Sequence, residues 1–301
     1  MGEEVTEMNE TVVYNVFHLD AYGYLVLAYF FLGSGGGGAF LVSAFSKLFG
    51  GERYENIANV GAIISPILVG FGGICLLLDL EQPQRIFYLF FKFNQTSPIS
   101  WGGIILSLFF LSSLVYLYFL FFKKNERLAK IFGGIGIVIA IFVMSYTGLL
   151  ISMARARPLW HSAIMPPLFL ISGGIAGLAF ILLVVNILKK YRPDDGVIKV
   201  LRITMVVLIL IDIFFLSDMY VLYVGIAEAQ EVALLLVAGK FAFLFWGVEL
   251  LIGSIVPVII LTVRRCANQR TWQILASVLS LIGVFVMRYI ILIVGQYLPL
   301  S

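Results

Sequence analysis

Asn15, His18 and Tyr146 are the side chains of this protein best suited to hold a small polar headgroup. A helix would place Asn15 and His18, which are three residues apart, on one face. A neutral imidazole both donates and accepts a hydrogen bond, and Tyr146 adds a hydroxyl from another part of the sequence. Together they could hold the two carbonyl oxygens of a quinone. Spacing alone leaves two alternatives open: an interfacial His18 satisfied by the backbone, and a packing or aromatic-belt Tyr146.

Five further ionisable residues fall within long apolar runs: Asp212, Asp218, Lys240, Glu249 and Arg288. A charge at the centre of a bilayer costs at least ~2.5 kcal/mol unless it is paired or hydrated, so each is a candidate functional residue. Helical rise puts Asp218 and Lys240 at one level, which favours a structural ion pair. Asp212 and Glu249 lie deeper, without a basic residue at their own level, and we expect them to take part in proton transfer.

The composition predicts an all-α membrane protein. Hydrophobic residues make up 61% of the 301 residues and charged residues only 12%, whereas a soluble domain carries about 25% charged residues. The mean hydropathy is +1.04. Eight apolar runs are long enough to span a bilayer as helices, with approximate bounds of 21–48, 56–79, 98–122, 131–152, 164–188, 200–226, 231–262 and 271–298.

Lysine and arginine are distributed unequally between the predicted loops. The connections after the first, third, fifth and seventh spans contain fourteen, and the N-terminal tail and the other connections contain four. Because basic residues collect on the cytoplasmic side, we expect both termini on the outer, extracytoplasmic side of the cytoplasmic membrane. The first ten residues contain four glutamates and no basic residue, so they do not predict a cleavable signal peptide.

A short repeat suggests two related halves. Ser34-Gly35-Gly36 in the first span and Ser172-Gly173-Gly174 in the fifth lie at similar depth, and both spans are predicted to run in the same direction. We therefore expect an acidic tail at 1–13 and two four-helix bundles at 14–160 and 161–301. Whether or not the two halves are related, close packing between helices is sufficient to explain the glycines.

The connection 79–103 is more charged and more aromatic than a simple tether needs. Pro83 ends the preceding helix because it lacks an N–H, and Ser97-Pro98 is typical of a helix start. The aromatic stretch between them suits the membrane interface, as does Trp101.

Several kinds of site are not predicted. The two histidines, His18 and His161, fall at helix ends, which does not suit the facing pair that a b-type haem needs. Cys75 and Cys266 lie far apart in the sequence and form neither a metal-binding nor a disulfide pattern. No Ser/His/Asp or Cys/His arrangement suggests hydrolysis.

Six motifs occur in order along nearly the whole sequence. They are Asp79-Leu-x-x-Pro-x-Arg85, Ser97-Pro-Ile-Ser-Trp-Gly102, Tyr146-Thr-Gly-Leu-Leu150, Arg157-Pro-Leu-Trp160, Leu168-Phe-Leu-x-Ser-Gly173 and Arg288-Tyr-x-x-x-x-x-Gly-Gln296. As an ordered set they resemble the NrfD/polysulfide-reductase family of membrane subunits. The sequence departs from the family pattern at Glu81, where the family has glycine.

The resemblance implies two packed four-helix bundles that bind a quinone or quinol, here of the menaquinone type, near the outer face and without haem. It also implies an iron–sulfur subunit docked on that face and a molybdopterin catalytic subunit beyond it. The family's quinone contacts match Asn15, His18 and Tyr146. We expect Asp79, Arg85, Arg155 and Arg157 to lie at the docking surface for the partner or at the mouth of the pocket. Anchoring at the membrane interface is the alternative for the three arginines.

Two other functions remain open. The repeat and the buried charges also fit a secondary transporter or proton-translocating module. The protein could instead be a purely structural anchor. Membrane lipid is the only other partner that we expect, and no nucleic-acid partner is expected.

Overall fold

The structure is a computed structural model that describes residues 22–80, 97–154, 157, 159–217 and 227–296. All regular secondary structure in these ranges is helical. The α-helices are α1 (Tyr24–Phe49), α2 (Glu55–Asp79), α3 (Pro98–Phe121), α4 (Glu126–Ser152), α5 (Met165–Ile187), α6 (Asp195–Leu216), α7 (Ala227–Val237), α8 (Val256–Thr262), α9 (Arg264–Ala267) and α10 (Arg270–Leu292). A π-helix, Phe243–Ile255, leads directly into α8, and short 3-10 turns cover Glu52–Tyr54, Lys189–Tyr191 and Val294–Gln296.

Seven segments of the described residues are long and apolar enough to cross a membrane, so this is an integral membrane protein. Seven of the eight predicted spans correspond to these segments, and the sixth predicted span does not. Helix α6 has 22 residues, but it contains Asp195, Lys199, Arg202 and Asp212, which set it apart from the seven apolar segments. The rest of the predicted sixth span, and both termini, lie outside the described residues.

Helix α1 is central, and its glycines make this possible. It packs against α2, α4 and α5 and also contacts α10. A Cβ atom at Gly36 would lie 3.0 Å from the Ser65 carbonyl oxygen of α2, and one at Gly37 would lie 3.0 Å from the Met144 sulfur of α4. At Gly38 it would overlap the backbone of α5. The glycine run therefore lets α1 touch three helices closely, as small residues do between membrane helices.

The seventh predicted span is not one continuous helix. The prediction placed one span at 231–262, but the helix breaks at 238–241, between α7 and the π-helix. Gly239 occupies the break, and a Cβ there would lie 2.8 Å from the Leu235 Cα atom. Gly253 lies within the π-helix and packs against Gly283 of α10.

The two ends of the bundle differ. At the end where α1, α3 and α5 begin, called here the Tyr24 end, Gly23 lies beside the Asp79 carboxylate at the end of α2. The opposite end, called the Phe49 end, is rich in basic residues. There Lys47 forms a 3.1 Å salt bridge with Glu126, and Arg270 donates to the Asn186 carbonyl oxygen at 3.0 Å.

Candidate functional site

A pocket of about 450 Å³ lies at the Tyr24 end between α3, α4 and the start of α5. Its lining is mostly apolar and consists of Pro98, Trp101, Ile105, Phe142, Ser145, Tyr146, Leu149, Met153 and Pro166. The predicted helix start at Ser97-Pro98 is confirmed, with Ser97 preceding the first turn of α3. That turn forms one wall of the pocket, which we call the Tyr146 pocket.

Tyr146 is fixed in the wall of this pocket. Its hydroxyl donates a 2.7 Å hydrogen bond to the Pro98 carbonyl oxygen. Its ring packs against Gly102 so closely that a Cβ atom at Gly102 would overlap it. This hydrogen bond therefore brings together two motifs, since the bonded residues are 48 residues apart in the sequence. The hydroxyl keeps lone pairs that can accept a further hydrogen bond.

Two more tyrosines flank Tyr146, and the motifs did not indicate them. Tyr29 on α1 and Tyr22 just before α1 both lie close enough to Tyr146 to interact with it electrostatically. Tyr22 and Tyr29 are seven residues apart, about two helical turns, and this spacing was the available signal. The predicted quinone ligands Asn15 and His18 lie outside the described residues.

The start of α1 is tied to the end of α10. The Gln296 side chain accepts from the Tyr22 N–H at 3.1 Å and donates to the Tyr22 carbonyl oxygen at 3.0 Å. The Tyr22 and Trp160 ring centroids are 5.6 Å apart. Trp160 in turn donates its indole N–H to the Ile291 carbonyl oxygen at 2.6 Å.

Arg157 also takes part in the contacts between the start of α1 and the end of α10. Its guanidinium donates to the Gly295 carbonyl oxygen at 3.1 Å and lies 5.1 Å from the Trp160 ring centroid. Asp79, another residue predicted at the docking surface, is exposed at the end of α2. Arg85 and Arg155 lie outside the described residues.

Arg288 is the centre of a second, fully buried cluster. Its guanidinium donates to Ser34 Oγ at 2.5 Å, to Ser172 Oγ at 3.0 Å and to the Phe30 carbonyl oxygen at 3.2 Å. It also lies 4.9 Å from the Phe169 ring centroid. The two serines are those of the repeated Ser-Gly-Gly, so both copies of the repeat bind one arginine. The sequence identified Arg288 as an intramembrane charge but did not indicate these partners.

Asp212 and Glu249 lie next to this cluster. Asp212 interacts electrostatically with Arg288, which corrects the expectation that it has no basic residue at its level, and Glu249 interacts with Asp212. Asp212 Oδ1 and both Glu249 carboxylate oxygens are buried without a hydrogen-bond partner among the described residues. A cavity of about 10 Å³ adjoins Glu249, room for about one water molecule.

Glu249 is presented by the π-helix, a form that occurs frequently at functional sites. Its backbone carbonyl oxygen accepts a hydrogen bond from the Ser254 hydroxyl at 3.2 Å.

The predicted ion pair between Asp218 and Lys240 stays a prediction, because Asp218 lies outside the described residues. Lys240 occupies the break before the π-helix and is exposed. It therefore precedes the membrane-crossing segment Phe243–Thr262, whereas the prediction placed it inside a span. Its Nζ lies 5.7 Å from the Phe241 ring centroid.

Within the part of the protein that the structure describes, no group of three or more His, Cys, Asp and Glu side chains is arranged to hold a metal ion. Cys75 and Cys266 are both free.

The sequence matches known proteins over nearly its whole length. It is 26% identical over 270 residues to the Hdr-like menaquinol oxidoreductase integral membrane subunit of Archaeoglobus fulgidus, covering 87% of this sequence and 67% of that protein. It is 26% identical over 294 residues to the C subunit of the polysulfide reductase of Wolinella succinogenes, covering 90% and 93%. It is 25% identical over 303 residues to an NrfD homolog of Haemophilus influenzae, covering 91% and 94%.

The match to the family described as polysulphide reductase, NrfD, extends over residues 4–299. That range contains every motif that the sequence singled out, together with the Tyr146 pocket and the Arg288 cluster. The chain therefore belongs to the polysulphide reductase NrfD family of membrane proteins.

Proposed function

We propose that this protein is the haem-free, quinone-binding membrane anchor of a respiratory molybdopterin/iron–sulfur oxidoreductase complex. It exchanges electrons between the membrane quinone pool and an iron–sulfur subunit docked at the Tyr24 end. The observation that carries the proposal is the Tyr146 pocket, in which one fixed hydroxyl stands at the wall of a mostly apolar pocket. The names of the relatives, a menaquinol oxidoreductase subunit and a polysulfide reductase subunit, support it.

The residues present fit a quinone. The ring and isoprenoid tail need apolar walls, which Ile105, Phe142 and Leu149 supply. A quinol hydroxyl would donate to a lone pair of the Tyr146 hydroxyl oxygen, whose own proton is bonded to Pro98, and Asn15 and His18 would bind the other oxygen of the headgroup. A quinol gives up two electrons and two protons on oxidation, and the menaquinone type is the one we expect. The packing of Gly102 against Tyr146 holds the hydroxyl at one position, so that binding needs little reorganisation.

Proton exchange would use Glu249 and Asp212. Asp212 Oδ1 and both Glu249 carboxylate oxygens are buried without hydrogen-bond partners among the described residues, and the small cavity beside Glu249 has room for a water molecule. A buried carboxyl group that reaches water can take up and release a proton. Arg288 would act as a fixed positive charge beside Asp212.

The proposed topology has eight spans in two four-helix bundles, with α6 as the sixth span and both termini on the extracytoplasmic side of the cytoplasmic membrane. The Phe49 end then carries most loop arginines and lysines, as the cytoplasmic side does in membrane proteins. The iron–sulfur subunit would dock at the Tyr24 end near Asp79, Arg85, Arg155 and Arg157. A molybdopterin catalytic subunit would lie beyond it.

Tyr146→Phe tests the site. We expect kcat/KM for quinol oxidation by the intact complex to fall about fivefold or more, because one hydrogen bond to the headgroup is worth about 1 kcal/mol or more. His18→Ala should abolish quinol oxidation. Oxidation of a water-soluble dye by the partner subunits should not change in either variant. Tyr118→Phe, at an exposed tyrosine of α3, is the matched control.

Gly102→Ala gives a second variant that keeps the hydroxyl but displaces the ring. It should lower quinol activity as Tyr146→Phe does, whereas Gly134→Ala, where a methyl group meets open space, should not. Unchanged quinol activity in Tyr146→Phe, His18→Ala and Gly102→Ala would refute the assignment.

The alternative of a secondary transporter or proton-translocating module rests on the buried carboxyl groups and on the two serine–glycine repeats that meet at Arg288. Purification separates the two functions. A transporter would bind its substrate without other subunits, whereas the proposed anchor copurifies with an iron–sulfur protein.

A further inference from the structure

The Phe49 end contains a groove that shares no lining residue with the Tyr146 pocket. It has a volume of about 580 Å³ and lies between α6, the end of α8 and α9. Three basic residues, Lys199, Arg202 and Arg264, line it together with Asn268. No acidic residue is among the described residues that line it.

Arg202 is the most buried of the three basic residues in this groove. The residue is only 8% exposed, yet its Nε and Nη1 atoms have no hydrogen-bond partner among the described residues. Asp195 interacts with it electrostatically, but the Asp195 carboxylate is bonded to Arg192 at 3.3 Å. A buried guanidinium with two unused donors is costly, because each donor has lost its water without gaining a partner. An anionic oxygen in the groove would satisfy both.

The rest of the groove is mostly apolar. Val206 and Val207 of α6 and Leu261 of α8 are among the residues that line it. Lys199 precedes Val206 by seven residues, about 10 Å along a helix. The positive charge therefore lies toward the helix ends, and the apolar part lies toward the middle of the bundle. This order matches a phospholipid, with its phosphate at the interface and its acyl tails in the hydrocarbon.

We propose that the groove between α6, α8 and α9 binds an anionic phospholipid, whose phosphate is held by Arg202, Lys199 and Arg264 and whose acyl tail packs on Val206, Val207 and Leu261. Basic pockets between membrane helices on the cytoplasmic side recognise anionic lipid headgroups in this way. A free anion would use only the basic part of the groove. The site is independent of what binds at the Tyr24 end.

The test uses the full-length protein, freed of lipid in a neutral detergent and titrated with phosphatidylglycerol or phosphatidylcholine. Native mass spectrometry counts the bound lipid. We expect phosphatidylglycerol to bind at least about tenfold more tightly than phosphatidylcholine. The triple variant Arg202→Gln, Lys199→Gln, Arg264→Gln should lose this preference, because charge-assisted hydrogen bonds to the phosphate are removed.

Lys123→Gln with Lys130→Gln removes two exposed charges from the same end, outside the groove, and should leave the preference unchanged. Val207→Trp fills the apolar part without changing charge and should also weaken phosphatidylglycerol binding. If the triple variant does not fold, the double variant Lys199→Gln, Arg264→Gln replaces it, because both of these residues are exposed.

Equal binding of the two lipids would overturn the proposal, as would a triple variant that still prefers phosphatidylglycerol. Inorganic phosphate is the third probe. Displacement of phosphatidylglycerol by phosphate at equal concentration would make this a small-anion site and would also overturn the proposal.

Discussion

Single residues explain how distant parts of this protein are held together. Arg288 on α10 binds Ser34 of α1 and Ser172 of α5, which are 254 and 116 residues away in the sequence. A fully buried guanidinium is stable only when its donors are used, and three of them are. The serines therefore do more than keep the helices close together.

Ser34→Ala and Ser172→Ala should each destabilise the protein by about 1–3 kcal/mol, because each leaves a buried charged donor without a partner. The combined loss should differ from the sum of the two, since both serines bind one group. Unfolding in mixed detergent micelles measures the free energy. Ser113→Ala is the control, because Ser113 is equally buried but bonds to the Phe110 carbonyl oxygen of its own helix. Equal losses in all three single variants would contradict the prediction.

At the scale of single residues, the sequence predicted which residues are important better than it predicted which residues they contact. Tyr146 was predicted from its motif, and the structure places it in a pocket wall. Its contacts with Pro98 and Gly102 depend on how α3 packs on α4, which no local pattern encodes. The same holds for Arg288, whose depth was predictable but whose two serine partners were not.

Helices were predicted well because long apolar runs have one low-energy solution in a bilayer. The exceptions are informative. The break at 238–241 was missed because Ala238 and Gly239 continue the apolar pattern, and only the packing shows that the helix stops there. The π-helix Phe243–Ile255 has no sequence signature of its own, and it carries Glu249.

The crossing of α1 and α5 depends on contact between their backbones. Gly38→Ala would push a methyl group into the Gly173 backbone, and Gly177→Ala would push one into Gly38. We expect each to destabilise the protein by about 1–3 kcal/mol through overpacking. Gly73→Ala, where the methyl group meets nothing within 4 Å, should instead be neutral or stabilising by up to about 1 kcal/mol. Thermal unfolding in detergent distinguishes them, and similar effects at all three positions would argue against a close crossing.

The whole molecule is asymmetric along its long axis. The Tyr24 end is closed by Tyr22, Arg157, Trp160 and Gln296, which join the beginning of α1 to the end of α10. The Phe49 end contains the salt bridge Lys47–Glu126 and the basic groove. This division is what a membrane protein needs if one end docks a soluble partner and the other meets anionic lipid.

The number of spans depends on α6. If α6 crosses the membrane, Lys190 before it and Gln230 after it lie on opposite sides; if it does not, they lie on the same side. Lys190→Cys and Gln230→Cys can each be made in a protein whose two cysteines are changed to alanine, and both positions are exposed. We expect an impermeant maleimide to label Gln230→Cys from outside intact cells and Lys190→Cys only after lysis. Lys130→Cys, in the basic segment at the start of α4, should behave like Lys190→Cys. Labelling of all three from one side would exclude α6 as a span, and labelling of Lys190→Cys from outside would reverse the orientation.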